Sequence, residues 1–202
     1  MTLQPLYSAD EVQRLVRSMA RNIAHDHPDG VVVVGVLKAA VVLAADLVRE
    51  LGRAIGGDIR LDFLQTSSFR ADSGRVRLVQ DLREDIGGRP VVLVTTLIDT
   101  GLRTAYLRSQ LAQREPSSLR LATLFDKTAR RILPLEIDYV GATVPDRFLV
   151  GYGLDALGQG RHIGGVATLA GEDELASAAL AEWIRDDHFG ARRVLSEPPA
   201  ER

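Results

Sequence analysis

The run VVVVGV, Val31 to Val36, is apolar at all six positions. A strand with one wet face alternates apolar and polar residues, so a strand with no polar position needs cover on both faces. A parallel sheet between helices meets that condition, because its crossovers lay helices on either side. The rest of the chain repeats the theme. AAVVLAADLVREL follows the valines at helical spacing and is expected to stop at Gly52. DIRLDFLQTSSF, from Asp58, reads as a second strand, and RVRLVQDL as a segment able to pair as a strand. PVVLV, from Pro90, is again fully apolar, and a helix is expected from Leu102 to Gln113, ended by Pro116. LRLATLF gives a further strand, and LEIDYVGATVP and RFLVGYGLD give two shorter ones parted by Pro145. Strands alternating with helices predict an α/β fold, a central and mainly parallel sheet flanked by helices.

The first helix is signalled by its cap. Ser8 followed by Glu11 fits a capping box, and Val12, Leu15, Val16, Met19 and Ile23 then recur at helical spacing. Val31 to Val48 is long enough to raise the question of a membrane span, but Lys38 lies near its middle and Asp46 near its end. Each would cost about 2.5–3.5 kcal/mol at the centre of a bilayer, so no membrane partner is expected. The start of the chain lacks a basic patch followed by an apolar run, and a cytoplasmic location is expected. A formal net charge of -2 gives no footprint for nucleic acid. The chain has no cysteine, which excludes disulfides, thiolate catalysis and cysteine zinc sites. His25, His27, His162 and His188 show no ligand spacing.

One domain is expected over residues 1–170, and a tail over 171–202. In the tail, Leu175, Ala179, Leu180, Trp183 and Ile184 fall on one side of an amphipathic helix, followed by an end rich in proline and charge that is expected to be disordered.

Asp99-Thr100-Gly101 sits where a parallel strand hands over to a helix. In open α/β sheets ligands bind beyond the carboxyl ends of strands, and the free N–H groups at a helix start favour an anion. A phosphate is therefore expected on this turn.

Five motifs occur in order around it: VLK at Val36 to Lys38, DFLQTSSF at Asp62 to Phe69, VLVTTLIDTG ending at Gly101, DKTARR at Asp126 to Arg131, and DYVGATVPDRFLVGYGLD at Asp138 to Asp155. Together they closely resemble the hypoxanthine(-guanine) phosphoribosyltransferases of purine salvage, over about Tyr7 to Leu169. The resemblance implies the type I phosphoribosyltransferase fold with a small hood. It also implies a reaction of a 6-oxopurine, hypoxanthine or guanine, with 5-phosphoribosyl-1-pyrophosphate, giving IMP or GMP and pyrophosphate with Mg2+, in a homodimer or homotetramer.

By the same resemblance, Asp99, Thr100, Gly101 and Leu102 would hold the 5′-phosphate through backbone N–H groups, and Asp99 would also accept a proton from purine N7. Lys127 would donate to the 6-oxo group, Phe148 would stack on the ring, and the backbone of Leu149 would meet the base edge. Asp155 would bind the magnesium. Lys38 and Ala39, in a turn that often holds a non-proline cis peptide in this family, would bind pyrophosphate together with Arg161. Ser68 and Phe69 would belong to a closing loop. Arg130 and Arg131 read as a solvated face or a subunit contact.

Three positions depart from the family pattern. Thr95 and Thr96 stand where it normally has a Glu-Asp or Asp-Asp pair in the ribose region, and Arg103 stands where it has a threonine or serine touching the 5′-phosphate. Arg103 could take the phosphate as a bidentate partner or fill the pocket. Two expectations follow: a phosphoribosyltransferase that is slower or altered in sugar-phosphate recognition, or a catalytically silent member that binds a purine nucleotide as a sensor or partner subunit.

Overall fold

The computed structural model describes residues 3–66 and 77–169. Ser68, Phe69 and the tail expected over 171–202, with its helix, lie outside the described residues. In chain order the elements are β1 (Gln4–Tyr7), α1 (Ala9–Asp26), β2 (Gly30–Leu37), α2 (Val41–Ala54), β3 (Asp58–Thr66), β4 (Leu78–Gln80), β5 (Pro90–Ile98), α3 (Leu102–Ala112), β6 (Ser118–Asp126), β7 (Tyr139–Thr143), β8 (Phe148–Val150) and β9 (Val166–Leu169). A six-stranded sheet runs β4-β3-β2-β5-β6-β7 and is parallel except for the edge strand β4. The valine run lies inside it, as its composition requires. Val31 and Val33 pack toward α1 and α2, against residues such as Val16, Leu43 and Leu47. Val32 and Val34 pack toward α3, with Leu107 and Leu111. Each such side chain contributes about 1.5–3 kcal/mol on burial.

The cap of α1 is as expected: the Glu11 amide donates to Ser8 Oγ at 3.3 Å, and the Ser8 amide donates to Glu11 Oε2 at 2.8 Å. The stop expected at Gly52 is not there, since α2 continues to Ala54. A helical glycine costs only about 1 kcal/mol relative to alanine. The buried face of Leu43, Ala44, Leu47 and Leu51 outweighs it. Two strands escaped the sequence reading. β1 is four residues long and contains Pro5, β9 is equally short, and with β8 they form a separate antiparallel sheet in the order β1-β9-β8. This is the hood, built from both ends of the described chain.

The order of the large sheet fixes where a ligand can sit. From β2 the chain crosses through α2 to β3 on one side, whereas β5, on the other side of β2, leads through α3 to β6. The direction of winding therefore reverses between β2 and β5, and the carboxyl ends of these two strands open a crevice. Among the described residues, no helix is long and apolar enough to cross a membrane.

His27 closes α1 at the opposite end of the sheet and is 8% exposed, with Nε2 3.4 Å from the Tyr139 hydroxyl. That hydroxyl donates to Asp26 at 2.8 Å, and burial followed by this bond raises its pKa. Burial lowers the His27 pKa and Arg120 adds to the effect, against the opposing pull of Asp26 and Asp138. The folded state thus binds the imidazole proton less readily than the unfolded chain does. His27 contributes stability that is present above its unfolded pKa, about 6.5, and is lost as pH falls through the lower folded value. Thermal unfolding of wild type at pH 7.5 and 5.5 is expected to show a loss of stability that His27→Gln reduces. An unchanged pH dependence in the variant would remove His27 from that account.

Candidate active site

Two helix starts converge on the crevice, and neither is capped by a side chain. α2 begins after Ala40 and α3 after Gly101, and no side-chain hydrogen bond closes either N-terminus. The structural helix α1 carries a full capping box. The first N–H groups of α3 have no partner within the helix, and they face the same way as its dipole. Gly101 has φ +85°, and a Cβ there would lie 3.0 Å from Arg131 Cδ, so only glycine suits the turn. Before α2, the Leu37–Lys38 peptide is cis, as the resemblance suggested for this turn.

The crevice opens as a cleft of about 1110 Å³. Among the described residues six cations line it: Lys38, Arg103, Lys127, Arg130, Arg147 and Arg161. Three carboxylates face them, Asp99, Asp146 and Asp155. Such an excess of positive charge, with low-dielectric walls behind it, draws a polyanion.

Most of the residues singled out from sequence meet here. Lys38, Ala39, Thr95, Asp99, Arg103, Lys127, Phe148, Leu149, Asp155 and Arg161 all line the cleft, with Thr100, Gly101 and Leu102 forming the turn at its edge. Lys127 is 4% exposed, its amide donating to Ile98 O at 3.0 Å and its Nζ 4.0 Å from Asp146 Oδ1. A buried ammonium needs hydrogen-bond acceptors, and an ion pair at 4.0 Å leaves room for another. Phe148 is 41% exposed on the cleft wall, while Leu149 beside it is buried. Asp99 Oδ1 is buried without a hydrogen bond among the described residues, although Arg130 Nε stands 3.2 Å away in an ion pair not aligned for one. Asp155 meets Arg161 at 2.6 Å and accepts from the Gly158 amide at 2.8 Å.

Thr96 is not part of the cleft lining. It is 0% exposed, and its hydroxyl donates to Ala39 O at 2.9 Å. Successive side chains of a strand point to opposite faces. Thr95, whose hydroxyl donates to Leu97 O at 3.2 Å, takes the cleft side, and Thr96 takes the side of α2. The expectation that both threonines meet the ribose region therefore fails for the second.

Arg131 is not on a solvated face, whereas Arg130 is 45% exposed, as expected. Arg130 bridges Asp99 and Asp146 inside the cleft. Arg131 pairs with Asp126 beneath Gly101, with Nε and Nη1 buried and without hydrogen-bond partners among the described residues. Gln4, Asp146 and Arg147 also line the cleft and were missed. For Asp146 and Arg147 the signal was their place directly before Phe148; for Gln4, at the far end of the chain, there was none.

Residues 5–157 match the phosphoribosyl transferase domain family. The chain is 37% identical over 166 residues to the hypoxanthine-guanine phosphoribosyltransferase of Aquifex aeolicus, covering 80% of this chain and 91% of that one. Its structure is similar to a crystal structure of a Bacillus anthracis hypoxanthine-guanine phosphoribosyltransferase with a HEPES molecule in the active site, at a TM-score of 0.76 and 34% identity, over 83% of this chain and 98% of that one. It is also similar to the Trypanosoma cruzi hypoxanthine phosphoribosyltransferase in complex with the product IMP, at a TM-score of 0.77 and 32% identity, over 84% and 95% of the two chains.

Proposed function

The chain belongs to the hypoxanthine-guanine phosphoribosyltransferase family, and on that premise we propose that its cleft joins hypoxanthine or guanine to 5-phosphoribosyl-1-pyrophosphate, releasing IMP or GMP and pyrophosphate. One observation carries the reading: the uncapped start of α3, which suits a phosphate, shares a single cleft with buried Lys127 and exposed Phe148, which suit an oxopurine. The family resemblance adds a cytoplasmic location and a dimer or tetramer to the proposal.

In the proposed reaction, purine N9 forms a bond to C1′ of the ribose while the C1′–oxygen bond to pyrophosphate breaks. Pyrophosphate leaves with the bonding electrons. The purine proton at N7 passes to Asp99, whose buried Oδ1 is an acceptor with no hydrogen bond in place. Lys127 stabilises charge on the 6-oxo group, Phe148 stacks on the ring, and the backbone of Leu149 meets its edge. The turn from Asp99 to Leu102 holds the 5′-phosphate, with Arg103 at its rim, and Thr95 faces the ribose hydroxyls. Lys38, Ala39 and Arg161 receive the pyrophosphate.

Magnesium keeps most of its waters and takes one or two carboxylates plus phosphate oxygens. Among the described residues no group of three or more metal-ligating side chains gathers, and Asp155 is already engaged by Arg161 and Gly158. That donor set fits an ion that arrives with the diphosphate, held by the remaining lone pairs of Asp155. When bound, it would neutralise charge on the leaving group.

Thr95 supports a second reading. A neutral hydroxyl on the cleft wall offers the ribose less than a carboxylate would, so the cleft could bind IMP without turnover. Hypoxanthine, 5-phosphoribosyl-1-pyrophosphate and magnesium are expected to yield pyrophosphate with the wild-type protein. Calorimetric IMP binding without release would favour the silent reading, and loss of both would sink the two together. Lys127→Met is expected to raise the KM for hypoxanthine about 10- to 150-fold, the worth of a charged hydrogen bond. An unchanged KM would take Lys127 out of base recognition.

A further inference from the structure

We propose that Thr96 is a positioning residue for pyrophosphate: its buried hydroxyl, donating to the Ala39 carbonyl, holds the Lys38–Ala39 turn in place. The inference rests on the reading of this turn given above. Three observations carry it.

Thr96 is fully buried, and its hydroxyl donates across from β5 to the turn that follows β2, to a partner 57 positions earlier in the chain. The same carbonyl is closed in from the other side. Gly153, at φ +87°, lies so near that a Cβ there would be 2.1 Å from Ala39 O. Gly153 is in turn tied to Arg161, its amide donating to Arg161 O at 2.9 Å and its carbonyl accepting from Arg161 Nη1 at 2.6 Å.

One carbonyl oxygen thus sets the register between two cationic residues on separate loops, Lys38 and Arg161. A ligand bound by both senses their separation, and a shift of the turn would loosen it without disturbing the far wall, where Lys127 and Phe148 stand. The bond needs a donor at position 96. A carboxylate would set two acceptors against each other, and valine would leave the carbonyl unmatched. This gives the departure at Thr96 a physical reason: the residue serves the turn, not the sugar.

The test uses the full-length protein as wild type, Thr96→Val and Thr96→Ser. Binding of magnesium pyrophosphate and of IMP is measured by calorimetry, and amide exchange is followed at Ala40 and Val41. These amides donate to Val36 O and Lys38 O and so report the order of the turn. Thr96→Val is expected to weaken pyrophosphate binding about three- to tenfold, leave IMP affinity within about twofold, and speed exchange at the two amides. Thr96→Ser, which keeps the donor, is expected to restore all three toward wild type. Equal loss of pyrophosphate and IMP affinity, no loss of either, or no rescue by serine would overturn the proposal. Wild-type protein that binds neither ligand would overturn the functional reading of the cleft, and unchanged exchange in Thr96→Val would overturn the clamp.

Discussion

Asp99→Asn is expected to lower kcat by about two to four decades while leaving IMP affinity within a few-fold. The change keeps the size of the side chain and the backbone of the turn, so the proposed phosphate seat at the start of α3 stays intact. What it removes is an oxygen able to take a proton. Asp99 Oδ1 is buried and makes no hydrogen bond, which leaves it available to a purine N–H. The variant also loses the ion pair with Arg130, but both side chains are more than a third exposed, at 45% and 41%. Exposed pairs of this kind contribute about 0–1 kcal/mol, so folding should change little and kcat can be read directly. Steady-state kinetics with saturating hypoxanthine and 5-phosphoribosyl-1-pyrophosphate measure the effect. A variant retaining more than about a tenth of the wild-type kcat would mean that the proton leaves by another route.

The sequence made the layered sheet legible because each buried strand is too apolar to tolerate water on either face. Val31 to Val34 and Val91 to Val94 could occupy little else than the interior of a covered sheet. The hood was not legible from the residues alone. Its strands are short, and β1 pairs with β9 from the far end of the described chain. Their stability comes from a partner that no local pattern announces.

The site divides along the same line. Residues carried by an ordered motif, such as Asp99, Lys127, Phe148 and Asp155, do gather in one cleft. Side-chain direction was the weak point. Two adjacent threonines look alike in a sequence, yet the pleat sends one into the cleft and buries the other. Arg131 departed from expectation for a related reason. Adjacent arginines after a strand usually face water, as Arg130 does in large part, but Asp126 draws Arg131 inward.

That difference between neighbours predicts that Thr95→Glu and Thr96→Asp act in opposite directions. Thr95 is on the cleft wall, so Thr95→Glu places a carboxylate where the ribose hydroxyls of the proposed substrate would lie. A hydrogen bond to a charged group contributes about 1.5–3 kcal/mol, which would raise kcat/KM for 5-phosphoribosyl-1-pyrophosphate by roughly 10- to 150-fold. The cations that line the cleft favour the added negative charge. Thr96→Asp replaces a buried donor by an acceptor facing the Ala39 carbonyl. The carboxylate must then lose its hydration opposite another acceptor or push the turn away, and the protein is expected to lose about 1–3 kcal/mol of stability. Denaturant unfolding and steady-state kinetics of both single variants and the double variant separate the two effects. If Thr96→Asp were as stable as wild type and raised kcat/KM as much as Thr95→Glu, the side chain at position 96 would have to reach the ribose, and its placement behind the turn would be wrong.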